Sequence, residues 1–294
     1  MDIPLETGNE TTYSYYLEPL IKYSSKDEVI QLSASELDFL SPENQALLLS
    51  SPPVGRQQLL HAVVSESTGS RPALPRSVRK YYTHRYHLFS RWDSGIQYDE
   101  EGLFSVTPEC LALYTAIRCS CDVVVDAFAG IGGNSIQLAR TCRRVISIDI
   151  NMDRLHMLQH NSTLYKVEKK IDCICGDAVK LLPFLEADVV LLAPPWGGVN
   201  YKKKEVFHLE DLPAGLEGQF LFSLARKITK NVVFVLPRMI DRREVASLAD
   251  PGEMVEFVEG FVDGHLKMMI VLFGALAHQG SEGNTTLLMT LTVC

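Results

Sequence analysis

Asp122-Val123-Val124-Val125-Asp126-Ala127-Phe128-Ala129-Gly130-Ile131-Gly132-Gly133-Asn134 is the stretch whose reading decides the fold. Three consecutive valines favour a buried extended segment, the glycines after them make a tight turn, and Ser135-Ile136-Gln137-Leu138-Ala139 resumes with helical periodicity. A strand, a glycine-rich turn and a helix in that order make a nucleotide site. Dinucleotide oxidoreductases carry a related Gly-x-Gly-x-x-Gly turn, but here the spacing is Gly130-x-Gly132-Gly133 and an acid, Asp126, precedes it. A carboxylate aimed at that turn repels a pyrophosphate and attracts an ammonium. The charge therefore favours S-adenosylmethionine over a nicotinamide dinucleotide.

Downstream the pattern repeats. Arg144-Val145-Ile146-Ser147-Ile148-Asp149 reads as a second strand ending on an acid about ~20 residues past the glycines, where an acid commonly binds both ribose hydroxyls. A helix is expected from about Met152 to Tyr165, then a third strand, Ile171 to Asp177, whose final acid can accept a hydrogen bond from an adenine amino group. An aspartate at a strand end is also a common turn or cap residue. Three of them on the carboxyl edge of one sheet, where open α/β sheets bind ligands, point to a cofactor.

The fourth strand, from Asp188-Val189-Val190, runs into Ala193-Pro194-Pro195-Trp196-Gly197-Gly198. Two prolines force the chain out of the ladder and stiffen the loop, so Trp196 is presented as a flat ring at the sheet edge, suited to stacking on a nucleobase. Taken alone, the stretch reads more readily as a buried tryptophan in a tight turn; its neighbours turn the balance. Tyr201-Lys202-Lys203-Lys204 follows, read as a solvated turn in preference to a phosphate anchor. A helix from about Glu217 to Thr229 leads to a fifth strand, Asn231 to Pro237, and Arg238 at its end is placed to grip phosphate, with pairing to Asp241 as the alternative. Val255 to Val262 and Leu266 to Phe273 flank Asp263-Gly264-His265 and predict a hairpin. The tail beyond is compatible with a late edge strand or a loosely docked end.

Toward the N-terminus, residues 1–74 are polar and Ser-rich, broken by Pro52-Pro53, with one candidate helix near Pro42 to Leu49; a flexible arm is expected there. From Pro75 the composition changes: Arg76, Arg79, Lys80, Arg85 and Arg91 interleave with Tyr81, Tyr82, His84, Tyr86, His87, Phe89 and Trp92. Such a mixture suits a ligand carrying phosphates and bases, and equally an amphipathic helix with an aromatic core face. Thr107 is expected to cap a helix that opens at Pro108 and runs to about Arg118.

The 294 residues carry a net charge of −8, which disfavours a long-duplex binder and requires any nucleic acid to be met by a local basic patch. Seven cysteines, an odd number set mostly in apolar runs, point to reduced thiols in the cytosol or nucleus, and the pairs Cys119/Cys121 and Cys173/Cys175 lack the partners of a zinc site. No metal is expected. There is no apolar stretch of ~18 residues and no basic start of a signal peptide, so no membrane association is expected.

From about Val78 to Leu276 the chain resembles the methyltransferase domain of the trimethylguanosine synthase family. The likeness rests on Arg85-Tyr86-x-Leu88-Phe89-Ser90-Arg91, Phe104-Ser105-Val106-Thr107-Pro108-Glu109, Asp126-Ala127-Phe128-x-Gly130-x-Gly132-Gly133-Asn134, Pro194-Pro195-Trp196-Gly197-Gly198 and Leu236-Pro237-Arg238 with Val245-Ala246-Ser247-Leu248-Ala249, in the family's order. The resemblance implies a Rossmann-like class I α/β fold: a mostly parallel seven-stranded sheet with a C-terminal antiparallel hairpin, plus a small helical N-terminal extension. It divides the chain into an arm (1–74), a helical cap-binding extension (75–118), a methyltransferase core (119–277) and a C-terminal tail (278–294). It implies transfer of methyl groups from S-adenosyl-L-methionine to N2 of the 7-methylguanosine cap of small nuclear and nucleolar RNAs, giving the 2,2,7-trimethylguanosine cap. Cofactor binding then falls to Phe104, Thr107, Asp126, Gly130, Asn134, Asp149 and Asp177, and cap binding to Trp196 and Arg238, with Lys80, Arg85 and Tyr201 joining them at the substrate. Ala193, Pro194 and Trp196 form the transfer centre. Capped RNA is the implied partner, with small ribonucleoprotein proteins beside it, for a monomer acting in the nucleus, nucleolus or Cajal bodies and the cytoplasm.

The chain departs from the family at three places. Ala193 stands where the family usually has Ser before Pro-Pro-Trp, and alanine cannot accept a hydrogen bond from the target amine. Met152 and Ala129 replace a usual Pro and Cys, and the segment after Tyr201 differs. The expected mechanism is in-line transfer to a neutral amine held against Trp196, with positioning as the main source of rate, worth ~7 kcal/mol or more in favourable cases. A 7-methylguanine is cationic, so the indole adds a cation–π attraction of roughly 0.5 to 2 kcal/mol that plain guanine lacks. Ala193 also motivates a rival reading, a cap-binding paralogue with weak or no activity; an adenine amino-methyltransferase is a third, disfavoured by Pro-Trp-Gly-Gly.

Overall fold

The computed structural model describes residues 81–278 and the backbone of residues 287–291. The expected arm, its candidate helix and Lys80 lie outside the described residues. Strands β1 (Val123–Asp126), β2 (Arg144–Asp149), β3 (Ile171–Cys175), β4 (Val189–Leu192), β5 (Val232–Pro237), β6 (Val255–Val262), β7 (His265–Phe273) and β8 (Leu287–Leu291) form one sheet in the order β3-β2-β1-β4-β5-β7-β6-β8. β1 to β5 pair in parallel, and β7 runs antiparallel to both β5 and β6. This is the seven-stranded Rossmann-like arrangement with its C-terminal hairpin, to which the tail adds β8, parallel to β6.

Why the sheet sits where it does follows from its composition. β4 and β5 are buried at every position, as strands covered on both faces must be. Successive side chains alternate between two apolar layers: Val125, Val190 and Leu192 enter one core, Val124, Val189 and Leu191 the other. The first layer packs under α7 (Gly218–Arg226) and α8 (Arg242–Ala246); the second packs under α3 (Glu109–Arg118) and α4 (Gly133–Thr141), numbering α1 (Arg85–Leu88) and α2 (Glu100–Ser105) before them. α5 (Met152–Leu164) follows β2 and the short α6 (Ala178–Leu181) follows β3. The hairpin turn is formed by Asp263 (φ 51°) and Gly264 (φ 69°) between the paired residues Val262 and His265, the tight geometry expected of Asp-Gly.

Three boundaries differ from the sequence reading: the helix expected from Glu217 to Thr229 is Gly218–Arg226, the third strand stops at Cys175 so that Asp177 caps the next helix, and the helix expected to open at Pro108 starts later. α3 starts at Glu109, because Pro108 is extended (ψ 136°), and Thr107 makes no cap. Thr107 is pinned instead by the close approach of α4: a Cβ on Gly133 would lie 2.4 Å from Val106 Cγ2, so only glycine lets that junction press against the α4 N-terminus. The six described cysteines are free thiols. Among the described residues no helix is long and apolar enough to cross a membrane, and no group of three or more His, Cys, Asp or Glu is placed to hold a metal ion.

Candidate functional site

The strand order reverses between β1 and β4, which leave β2 and β5 on opposite sides. Connections from the two central strands therefore diverge, and a crevice opens at their carboxyl ends. The glycine turn after β1 and the Pro-Pro-Trp loop after β4 both empty into it, although about 70 residues separate them in sequence. A cavity of about 680 Å³ results, lined by Phe104, Thr107, Gly130, Asn134, Asp149 and Asp177 at one end and by Ala193, Pro194, Trp196 and Tyr201 at the other.

The donor end is acceptor-rich. Asp126 is completely buried; its Oδ2 accepts a 2.6 Å hydrogen bond from Ser135 Oγ, itself an acceptor from Ser147 Oγ at 2.8 Å, while its Oδ1 makes no hydrogen bond. Burial raises its pKa to about 6, the charge on Asp149 adding to the shift and the Ser135 hydroxyl opposing it. Asn134 Oδ1, in the first turn of α4, is a second buried acceptor without a partner. Two orphaned acceptors at one turn suit a ligand that brings several N–H donors and positive charge. Asp126 is not itself part of the cavity wall; the next residue, Ala127, is.

Asp149 takes a 2.8 Å hydrogen bond from the Gly130 amide on Oδ2 and another from Asn151 on Oδ1, so the acid shapes the glycine turn and keeps one lone pair per oxygen for hydroxyl donors. Asp177 sits two residues beyond β3 and caps α6, accepting from the Val179 amide at 3.0 Å. Exposed Ile150, at 76% of its surface, adds an apolar wall between these acids. Such an arrangement fits the adenosine and amino-acid parts of S-adenosylmethionine.

At the acceptor end Trp196 is half-buried. Its indole N–H donates to the Val235 carbonyl at 3.3 Å, and Tyr201 meets its ring edge-on at a centroid distance of 5.2 Å. The tryptophan is thus anchored at one edge and still borders the cavity, so the turn serves both readings of the sequence. Pro194 is buried and Ala193 half-buried beside it.

Not every candidate reaches the cavity. Arg85 is turned inward, its guanidinium 4.3 Å above the Tyr82 ring and 4.5 Å above that of Tyr86, and donates to Tyr82 O and the Tyr86 hydroxyl. Its neighbours on the same segment, Tyr81, His84 and His87, line the cavity instead. Arg238 is exposed and donates to Leu266 O at 3.3 Å, close enough to Tyr201 to oppose the rise that burial causes in its phenol pKa, but it is not in the cavity wall. Asp241 does not hold Arg238; it caps α8 through the Arg243 and Glu244 amides. Conversely, His265 and Lys267, two apart at the start of β7, line the cavity and were not anticipated. Two polar residues at period two, opening an otherwise apolar strand, were the available signal. His87 lies 3.3 Å from Asp263; burial lowers its pKa, Asp263 opposing and His84 and Lys267 adding.

A family model described as RNA cap guanine-N2 methyltransferase matches residues 121–276. The trimethylguanosine synthase of Schizosaccharomyces pombe is 35% identical over 222 residues, spanning 71% of this chain and 92% of that protein. Its counterpart from Saccharomyces cerevisiae is 31% identical over 202 residues, 64% of each chain. A crystal structure from Porphyromonas gingivalis W83, described as a methyltransferase, superposes with a TM-score of 0.54 at 18% identity over 82% of this chain and 59% of that one, a likeness of fold alone. Sheet order, cavity and matched length agree: the chain belongs to the RNA cap guanine-N2 methyltransferase family, whose methyl donor is S-adenosylmethionine.

Proposed function

We propose that the chain methylates N2 of the guanine in the 7-methylguanosine cap of small nuclear and nucleolar RNAs, acting as a monomer in the nucleus and cytoplasm alongside small ribonucleoprotein proteins. One observation carries the chemistry: a single cavity has the orphaned Asn134 acceptor and Asp149 at one end and the Trp196 loop at the other. When bound, S-adenosylmethionine supplies an electrophilic methyl on a sulfonium. Asn134 Oδ1, with Asp126 Oδ1 behind the wall, holds the ammonium; Asp149 takes the ribose hydroxyls, and Asp177 and Ile150 face the adenine. Trp196 holds the guanine flat, Tyr201 buttresses its edge, and the Ala193 and Pro194 carbonyls orient the exocyclic amine. Arg238, at the sheet edge beside Tyr201, receives phosphate from outside the cavity wall, a placement that fits a chain leaving the site. Residues 75–118 serve as the cap-side extension.

The test is transfer of labelled methyl to a 7-methylguanosine cap, an unmethylated guanosine cap and an adenine-containing oligonucleotide. Transfer to the first alone supports the reading, and transfer to adenine overturns it. The weakly active paralogue rests on Ala193 alone, and the named relatives do not favour it. Ala193→Ser adds a hydroxyl acceptor beside the amine and is expected to raise kcat on a capped dinucleotide by about three- to tenfold. An unchanged or lower kcat would show that backbone carbonyls already orient the amine.

A further inference from the structure

Three consecutive lysines leave the Trp196 loop, and the fold separates them. Lys204 pairs with Asp211, Lys203 points to solvent, and Lys202 turns back to the cavity. Its Nζ stands 5.3 Å from the centroid of Phe104 and 5.6 Å from that of Tyr201. Phe104 belongs to the donor wall, where Tyr81 meets it edge-on at 5.7 Å; Tyr201 belongs to the acceptor wall, edge-on to Trp196. The ammonium thus stands within reach of rings from the two halves of the site.

The position has a consequence for charge, resting on the function proposed above. Both reactants are cationic at their reacting parts, a sulfonium on one and a 7-methylguanine on the other, so Lys202, added to Lys267 in the same cavity, opposes their joint binding. The phosphate bridge that follows a cap guanosine is the anionic part of that substrate. We propose that Lys202 is a specificity-determining residue: its ammonium leaves the Phe104 and Tyr201 rings for the phosphate bridge of the incoming cap, so that phosphate-bearing caps are accepted and the bare nucleoside is penalised. Lys202 is a point charge on a flexible stem, able to make that move without displacing backbone.

The test measures binding of 7-methylguanosine, its 5′-monophosphate and a capped dinucleotide to the full chain by calorimetry, with S-adenosylhomocysteine present, alongside methyl transfer to the dinucleotide. For Lys202→Met the expected result is a roughly tenfold weaker dinucleotide Kd, an unchanged or severalfold tighter nucleoside Kd, and kcat within about threefold of the parent. The salt dependence of dinucleotide binding falls by about one unit of slope, and Lys202→Arg restores it. Equal losses on all three ligands would mean a structural role and overturn the proposal, as would no change on any. Failure of the underlying function shows elsewhere: the unsubstituted chain would then bind methylated and unmethylated caps alike, whatever Lys202 does.

Discussion

Asp126→Asn is expected to weaken S-adenosylmethionine binding by about tenfold, through loss of a buried negative charge behind the cavity wall, without weakening the fold. The carboxylate is fully buried with one oxygen unpartnered, and burial has raised its pKa to about 6. A carboxyl whose folded pKa lies above its unfolded value binds protons better when folded. Stability of the free protein therefore falls as pH rises from below 4 to above 6, by about 3 kcal/mol for a shift of this size. Asparagine removes that penalty while still accepting from Ser135. Thermal unfolding at neutral pH should show an equal or higher Tm for the variant, and calorimetry a lost affinity. The same carboxyl predicts the pH profile: affinity in the parent is constant above about pH 6 and declines as pH drops through it, because a bound ammonium must then displace a proton. In the variant that decline disappears. Full retention of affinity would make Asp126 a purely structural member of the Ser135–Ser147 chain.

Trp196→Ala should lower kcat/KM for a 7-methylguanosine cap by about 100-fold or more and abolish preference over an unmethylated cap. Stacking contributes about 1–3 kcal/mol per base, and the cation–π attraction of a methylated base about 0.5–2 kcal/mol more. Cofactor affinity should move by less than about threefold, since Trp196 borders the other end of the cavity. The ring also touches both core layers and bonds Val235, so alanine costs stability as well. Trp196→Phe separates the effects: it keeps the packing, loses the indole donor and the stronger quadrupole, and should retain a weakened preference, reduced about tenfold in kcat/KM. A Trp196→Ala protein that still discriminates methylated from plain caps would assign the stacking to another ring, with Tyr201 the first candidate.

What could be read from the chain alone divides along a physical line. Valine runs, the glycine turn, the prolines before Trp196 and the Asp-Gly hairpin act through φ/ψ restrictions within a few residues, so strands, turn and loop were legible before any contact was known. The acids at the strand ends were legible for the same reason, and with them the donor half of the site. Which long side chains reach the cavity was not. Arg85 and Lys202 both sit in basic, aromatic stretches, yet one is folded between its own tyrosines and the other is drawn across the site by Phe104, a ring about 98 residues distant in sequence. His265 and Lys267 enter the wall only because β7 inserts between β5 and β6. The pKa of Asp126 likewise depends on its complete burial in the folded chain and on the charge of Asp149, which no local pattern carries. By itself the sequence determined the backbone's shape at each turn and the chemistry available at the sheet edge. Tertiary structure decided which charges face the substrate, because the reach of a flexible cation depends on packing between segments far apart in the chain, and rotamers are chosen by neighbours that sequence order does not place together.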